Sequence, residues 1–460
     1  MEEETTQYPI DSRCKDCSLF QVVEEMKKKI EYLEAKVTSL EKELEQYRKP
    51  PKDSTNSSIP SSQNRWDKKY PPRPKSTNKV GGQFGHIGCN KPYLEPTEII
   101  NLNDNVCPYC GETHFEENES KLKRKQVIDL EITPVVKEYQ QHHLICSNCK
   151  RRIPKQPFPI KGNVEYGDNI KTTIGYLNVH HNCSYVRIPQ MFEDLFNIKI
   201  SKGTIDNILK DLANDLKNKY ISIQNFIKNS SIIGSDETGM RINKKNCYLW
   251  TFQNPQATFF VGSKTRGYKV IQDVIGEDFK GTWISDRYSG QLKMDCSHQL
   301  CSSHLIRDCN YAIESDNTLF PKQLKKLLKE TIKFKNKYGE EYNPNTKEIF
   351  REKEKYKERL SNIFKKKPNQ TKEETRKLWN SLVCRQKELL LFLDDKDIPA
   401  TNNASERALR NRVIKNKVSG CFRSELGAFC NDILSSVIET AKKQKVNLMD
   451  ALNPAHSFAF

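Results

Sequence analysis

The 460-residue chain is 36% apolar and 29% charged, with a formal net charge of +17 and a pI near 9.1, a balance that suits two or three domains and a polyanionic partner, nucleic acid first. No apolar run approaches the ~20 residues that span a bilayer, and the start Met1-Glu-Glu-Glu has neither the basic region nor the apolar stretch of a secretory signal, so a cytoplasmic, DNA-associated protein is expected. Fifteen cysteines, an odd number over a large chain, read as reduced thiols and metal ligands rather than a disulfide framework.

Val23, Met26, Ile30, Leu33, Val37, Leu40, Leu44 and Tyr47 recur at steps of three and four among Glu and Lys. This heptad seam runs for ~37 Å at 1.5 Å per residue, stops at Pro50-Pro51, and predicts a coiled-coil dimer, with an intramolecular amphipathic helix as the plainer alternative. Cys14 and Cys17 upstream form a lone pair and read as incidental thiols. Residues 51–95 read as a basic flexible linker rich in Pro, Ser, Asn, Lys and Gly. Lys68, Lys69, Arg73, Lys75 and Lys79 there suit phosphate contact, although a solvated linker explains them equally.

Cys107-Pro-Tyr-Cys110-Gly and Cys146-Ser-Asn-Cys149 are two knuckles able to share one tetrahedral Zn²⁺, structural because four thiolates leave no open position. Ile128, Leu130 and Ile132 alternate as a strand, and residues 135–145 return as a second, so a zinc ribbon with a long hairpin is predicted over 96–160. His114, His142 and His143 are bystanders. Residues 165–228 read as helices, with a helix-turn-helix-like pair at 188–196 and 201–212 whose second member buries Ile205, Ile208, Leu209 and Leu212. Lys202, Asn207 and Lys210 would then face DNA, unless the region is only a brace between domains.

The next stretch carries chemistry. Ile232 and Ile233 lead into Asp236 and Glu237, with Gly239 expected as a tight turn; Trp283 and Ile284 lead likewise into Asp286. Residues 248–252 and 258–261 read as strands, 270–275 as a short helix and 282–285 as a strand. Glu406 falls in the first turn of a predicted helix. Three carboxylates from two strands and a helix can hold two Mg²⁺ (or Mn²⁺) ions for phosphoryl transfer. Each has a plainer reading: Asp236 at a strand end, Asp286 paired with Arg287 or Arg266, and Glu406 closing a capping box with Asn403. The 119 residues between Asp286 and Glu406 hold a Lys/Glu-rich helical pattern, read as an all-helical insertion over 311–398. Beyond Glu406, Arg407, Arg410, Arg412, Lys415, Lys417 and Arg423 form a basic run suited to DNA phosphates. The tail, 446–460, adds no visible chemistry.

Ser235-Asp-Glu-Thr-Gly, Ser285-Asp-Arg-Tyr, Cys301-Ser-Ser-His304-Leu-Ile-Arg307-Asp308, Asn402-Asn403-Ala-Ser-Glu406-Arg407-Ala-Leu-Arg410 and Lys417-Val-Ser-Gly-Cys-Phe-Arg423-Ser resemble, in order, the motifs of the insertion-sequence 66 family of prokaryotic DDE transposases. Lys52-Asp-Ser-Thr-Asn-Ser-Ser and Gly81-Gly-Gln-Phe-Gly-His also resemble that family's segments. The resemblance implies a ribonuclease-H-like α/β catalytic domain, its halves at 229–310 and 399–445, within a multidomain α+β chain. It implies Asp236, Asp286 and Glu406 as the metal-binding triad, His304 as an auxiliary residue and Arg410 beside it. It further implies cleavage and joining of transposon-end and target DNA, with accessory transposition proteins as further partners. A non-catalytic DNA-binding descendant or a ribonuclease-H-like nuclease would share much of this pattern.

Overall fold

A computed structural model describes residues 18–57, 81, 85, 93–100, 102, 106–114, 124–153, 155, 157–160 and 162–460. Cys14, Cys17, the basic residues 68–79 and most of the Gly81–Gly88 segment lie outside the described residues. The chain divides into two units: Met1–Trp66, Tyr166–Tyr185 and Gly203–Phe460 form the first, Asp67–Glu165 and Val186–Lys202 the second.

In the first unit, α1 (Ser18–Arg48) is the helix that the heptads predict. Its seam positions Val23, Met26, Ile30, Leu33, Val37 and Leu40 are 40–61% exposed, so its apolar stripe faces outward along the described part. Helices α2 (Asp168–Gly175), α4 (Lys202–Asp215) and α5 (Lys217–Lys228) precede the sheet, and Ile205, Ile208, Leu209 and Leu212 are buried as expected. No helix among the described residues is long and apolar enough to cross a membrane.

The sheet is built from β1 (Ile232–Ile242), β2 (Lys245–Gln253), β3 (Thr258–Ser263), β4 (Thr282–Ser285) and β5 (Ser297–Leu300), in the order β3-β2-β1-β4-β5. β1, β2 and β3 form an antiparallel meander; β4 lies parallel to β1 and β5 parallel to β4. Ile233, Leu249, Trp250, Phe252, Phe260 and Trp283 are fully buried, the pattern of a sheet covered on both faces.

β1 continues through Gly239, which pairs with Tyr248, so the turn expected at that glycine is not there. The chain reverses instead at Asn243 and Lys244, both left-handed (φ 49° and 62°), the two-residue geometry whose twist matches a hairpin. The strand persists because Met240 points inward, packing with Cys247, Leu249, Phe260, Ala408 and Leu409.

α6 (Tyr268–Ile275) links β3 to β4. After β5 come α7 (Ser302–Asp316), α8 (Leu319–Tyr338), α9 (Lys347–Lys365), α10 (Glu373–Leu382) and α11 (Gln386–Leu390), the helical region expected between Asp286 and Glu406. Leu324, Leu327, Leu328, Leu382, Leu389 and Phe392 are fully buried in its core. Gln299 of β5 accepts from Phe392 N–H at 2.7 Å, fastening this bundle to the sheet edge. α12 (Asn403–Ser419) then packs on β1 and β2, α13 (Glu425–Lys443) on β3, and α14 (Leu448–Leu452) closes the unit.

In the second unit, α3 (Arg187–Phe196) ends at Asn197 in the left-handed conformation (φ 52°). The two members of the predicted helix-turn-helix therefore exist as helices, but they belong to different units. The hairpin expected at 128–145 does not form: residues 124–144 join no ladder, and a single bridge links Ile145 to Arg152. Ile128 and Leu130 are 63% and 77% exposed. Their alternation finds no apolar partner, and without one a two-stranded ribbon is marginal.

Candidate active site

The parallel ladder between β1 and β4 ends with Gly234 opposite Ile284. Asp236 and Asp286 each lie two residues beyond that pair: Asp236 is still within β1, Asp286 is the first residue after β4, and the two are close enough for Asp286 to push the Asp236 carboxyl up. Asp236 is thus presented from the middle of a long strand rather than from its end, at the point where its parallel neighbour stops.

Glu406 is brought in by the start of α12. Asn402, just ahead of that helix, is 2% exposed. Its Nδ2 donates to Ser235 O at 2.7 Å, and its Oδ1 accepts from Ser405 Oγ at 2.6 Å. Trp283 Nε1 donates to Ser235 Oγ at 2.8 Å. A Cβ on Gly234 would stand 2.5 Å from Gln253 Nε2 and 2.8 Å from Ser405 Oγ, so this glycine lets the helix start press onto the strand. No side chain caps α12 in the Asn403-to-Glu406 manner; Glu406 is left free for the site.

The electrostatics join the three acids. Burial pushes the Asp236 carboxyl well above the usual carboxylate range, Asp286 and Glu237 push it further, and Glu406 adds to the effect. Neither Asp236 nor Asp286 forms an ion pair with a described residue, because the two arginines expected to neutralise Asp286 are committed elsewhere. Arg266 Nε donates to Glu237 at 2.7 Å, and Arg287 pairs with Asp308 while donating to Ser381 Oγ at 2.8 Å. Arg287 itself is left-handed at φ 74°, a strained conformation for a bulky residue immediately after Asp286. Tyr288 N–H donates to Asp286 Oδ1 at 3.3 Å, and the Arg266 guanidinium stacks 4.2 Å from the Tyr288 ring centroid.

His304 and Arg307, one turn apart on α7, reach Glu406: His304 Nδ1 lies 3.7 Å and Arg307 Nη2 3.5 Å from its Oε1. Burial, then Arg307, hold the imidazole below its ordinary range. Sequence reasoning missed Arg307, Asn402 and the pairing of buried Glu237 with exposed Arg266. The Arg307 and Asn402 positions lie within the quoted motifs, but only the fold gives them partners.

Two expected DNA contacts are corrected. Arg412 is 2% exposed and pairs with Asp432 at 2.7 Å; Lys415 is 5% exposed and donates to Asn178 O at 2.9 Å. Both serve the interior because they fall on the stripe of α12 that packs inward with Ala408 and Leu409. Arg407, Arg410, Lys417, Arg423 and Lys202 are exposed, and Lys210 pairs with Asp206 at 2.6 Å.

Three carboxylates, two of them in no ion pair with a described residue and one partly buried, are a donor set suited to a hard divalent cation. Still, no group of three or more His, Cys, Asp or Glu among the described residues is gathered tightly enough to hold a metal. The same holds for the thiols. Cys107 and Cys146 each accept backbone N–H groups from their own turn (Tyr109 and Cys110; Cys149 and Asn148), which hold both thiols below the usual range. Each half is a knuckle prepared for a thiolate, but the structure does not bring Cys107 and Cys110 together with Cys146 and Cys149.

A family model described as Transposase IS66 family matches residues 164–429. A protein of Sinorhizobium fredii described as uncharacterized protein y4jO is 41% identical over 71 residues, 15% of this chain and 22% of that relative; the chain thus spans less than a quarter of that relative's length.

Proposed function

This chain belongs to the IS66 transposase family, and from that premise we propose that it is a DNA transposase that cuts and joins insertion-sequence DNA with Asp236, Asp286 and Glu406. The observation that carries the reading is the placement of Asp236 and Asp286 just past the end of the β1–β4 ladder, where Asp286 and Glu406 both push the Asp236 carboxyl up, with Glu406 tied to the same strand through Asn402. The sheet order β3-β2-β1-β4-β5, a three-stranded antiparallel meander with two parallel additions, supports a ribonuclease-H-like domain.

The three carboxylates would hold Mg²⁺ or Mn²⁺, which when bound supplies Lewis acidity and an activated oxygen for in-line attack at phosphorus. The protein's own part is positioning: Asn402 fixes the approach of Glu406, while His304 and Arg307 orient its carboxylate. Exposed Arg407, Arg410, Lys417 and Arg423 offer contacts to DNA phosphates. Cys107, Cys110, Cys146 and Cys149 would hold one structural Zn²⁺ only with their two thiolate-ready turns drawn together, which the structure does not do. The outward heptad stripe of α1 supports pairing with a second copy.

The test is calorimetric titration of Mn²⁺ into the full chain, beside an Asp236→Asn/Asp286→Asn/Glu406→Gln variant. Binding lost in the variant is the expected result. Equal binding would remove the chemical core of the proposal. Supplying a pre-cut 3′-OH end with target DNA separates transposase from nuclease, since only the former yields joined product.

A further inference from the structure

Residues 50–57, expected as the start of a linker, are instead folded against the catalytic unit. Asn56 is the hub of a compact turn: its Oδ1 accepts from Asp53 N–H at 2.8 Å, and its Nδ2 donates to Pro51 O at 3.1 Å and to Glu314 of α7 at 2.7 Å. Asp53 Oδ1 accepts from Thr55 N–H at 2.7 Å, and Asn310 of α7 donates to Thr55 O at 2.6 Å. Lys49 Nζ reaches Glu373 of α10 at 2.8 Å. Asp53 and Asn56 are 3% and 1% exposed, a burial no solvated linker shows.

This arm forms one wall of a cleft of ≈ 650 Å³ that also contains Asp286. Of the five basic residues lining it, Arg266, Arg287, Lys377 and Arg385 are each paired with an acid, Glu237, Asp308, Glu374 and Glu388 respectively. Lys52 forms no ion pair with a described residue; its Nζ stands 5.2 Å over the Tyr311 ring. A cation in the wall of the cleft that contains Asp286, over a partly buried tyrosine ring and in no ion pair with a described residue, is suited to a phosphodiester. We propose that the Asp53–Asn56 turn is a docking device that delivers Lys52 into the active-site cleft as a contact for a backbone phosphate of the DNA strand lying there. The proposal rests on the transposase reading for the identity of the polyanion. It makes the segment after α1 a part of the DNA site, so a protomer paired through α1 has its arm and cleft fixed to each other.

The test uses the full chain without added Mg²⁺ or Mn²⁺, with a fluorescein-labelled 24-base-pair duplex of mixed sequence, reading anisotropy across a salt series. Lys52→Ala should weaken binding roughly three- to ten-fold near 0.1 M salt and reduce the log–log salt slope by about 0.9, the loss of one phosphate contact. Asn56→Ala removes no charge, yet should give the same reduction, and the double variant should fall no further than Lys52→Ala. Hydrogen exchange over residues 49–57 should rise in Asn56→Ala while the rest of the chain keeps its protection. An unchanged slope in Lys52→Ala overturns the proposal. So does wild-type exchange in Asn56→Ala, or faster exchange there with the slope intact. Asp236→Asn separates the two readings: strand cleavage persisting in that variant would sink the catalytic proposal while leaving the Lys52 slope comparison valid.

Discussion

Asn402 Nδ2 donates to the carbonyl oxygen of Ser235 at 2.7 Å, the residue immediately before Asp236, and so ties the helix start that carries Glu406 to the strand that carries the first aspartate. The bond crosses 167 residues of sequence and the whole helical insertion between them. Sequence distance between the second and third acid is thereby decoupled from their distance in space.

Replacing Asn402 with Ala should cost ~1–2 kcal/mol of stability for a buried bond that loses its donor. It should also lower metal-dependent strand cleavage about 10- to 100-fold, as the loss of an outer support for a metal ligand does. Thermal melts and single-turnover cleavage check this, with Ser405→Ala, which removes the hydroxyl that donates to Asn402 Oδ1, as a second variant. Wild-type cleavage in a destabilised Asn402→Ala protein would show that the link serves the fold alone.

Asp236 sits desolvated beside Asp286 and Glu237, a cost to the metal-free fold. Asp236→Asn should therefore raise the melting temperature in EDTA while abolishing cleavage, the exchange of stability for function found at strained sites. Saturating Mn²⁺ should stabilise the wild type by up to ~2.7 kcal/mol at a hundredfold excess over Kd and leave the variant unmoved. A lower melting temperature for the variant in EDTA would contradict the burial argument.

Much of the architecture was legible where residue patterns are local. The Ile232–Ile233 and Trp283–Ile284 runs identified both aspartate strands, and the Leu and Lys/Glu periodicity identified the helical insertion. The hairpin turn was not legible, because Asn243-Lys244 lacks the glycine that usually marks two left-handed residues, and Gly239 stood nearby as a decoy. β5 was missed because its buried residues His298 and Gln299 are polar; what satisfies Gln299 lies about 90 residues away on the insertion. The basic run on α12 misled for a similar reason. Arg412 and Lys415 differ from exposed Arg410 and Lys417 only in facing inward, and their partners, Asp432 and Asn178, belong to remote elements.

The Arg412–Asp432 pair supplies a stability prediction. Both side chains are at most 3% exposed, and Asp432 Oδ2 also accepts from Gly262 N–H at 2.8 Å, joining α12, α13 and β3. Asp432→Ala strands a buried guanidinium and should cost ~3–5 kcal/mol. Arg412→Leu/Asp432→Asn removes both charges, retains an acceptor for Gly262, and should recover most of that loss. Urea titrations of the three proteins decide it; an Asp432→Ala midpoint equal to wild type would mean that the guanidinium finds other compensation.

Lys443 gives a prediction in pH. Its Nζ donates to Gln253 Oε1 at 2.7 Å and Ala257 O at 2.9 Å, and burial lowers its pKa from 10.5 to about 7. Between those values the unfolded chain holds a proton that the native chain has released, so stability must rise with pH across that window. Below pH 7 both states are protonated and the burial cost is constant. Relative to Lys443→Met, which cannot titrate, the wild type should therefore gain up to ~1.4 kcal/mol per pH unit from pH 7 toward 10. Other groups that titrate there, among them Cys296 with its thiol pushed up to about 12, act in both proteins and drop out of the difference. Paired denaturation curves at pH 7, 8 and 9 measure it, and a wild-type advantage that shrinks as pH rises would show that Lys443 stays charged in the native protein.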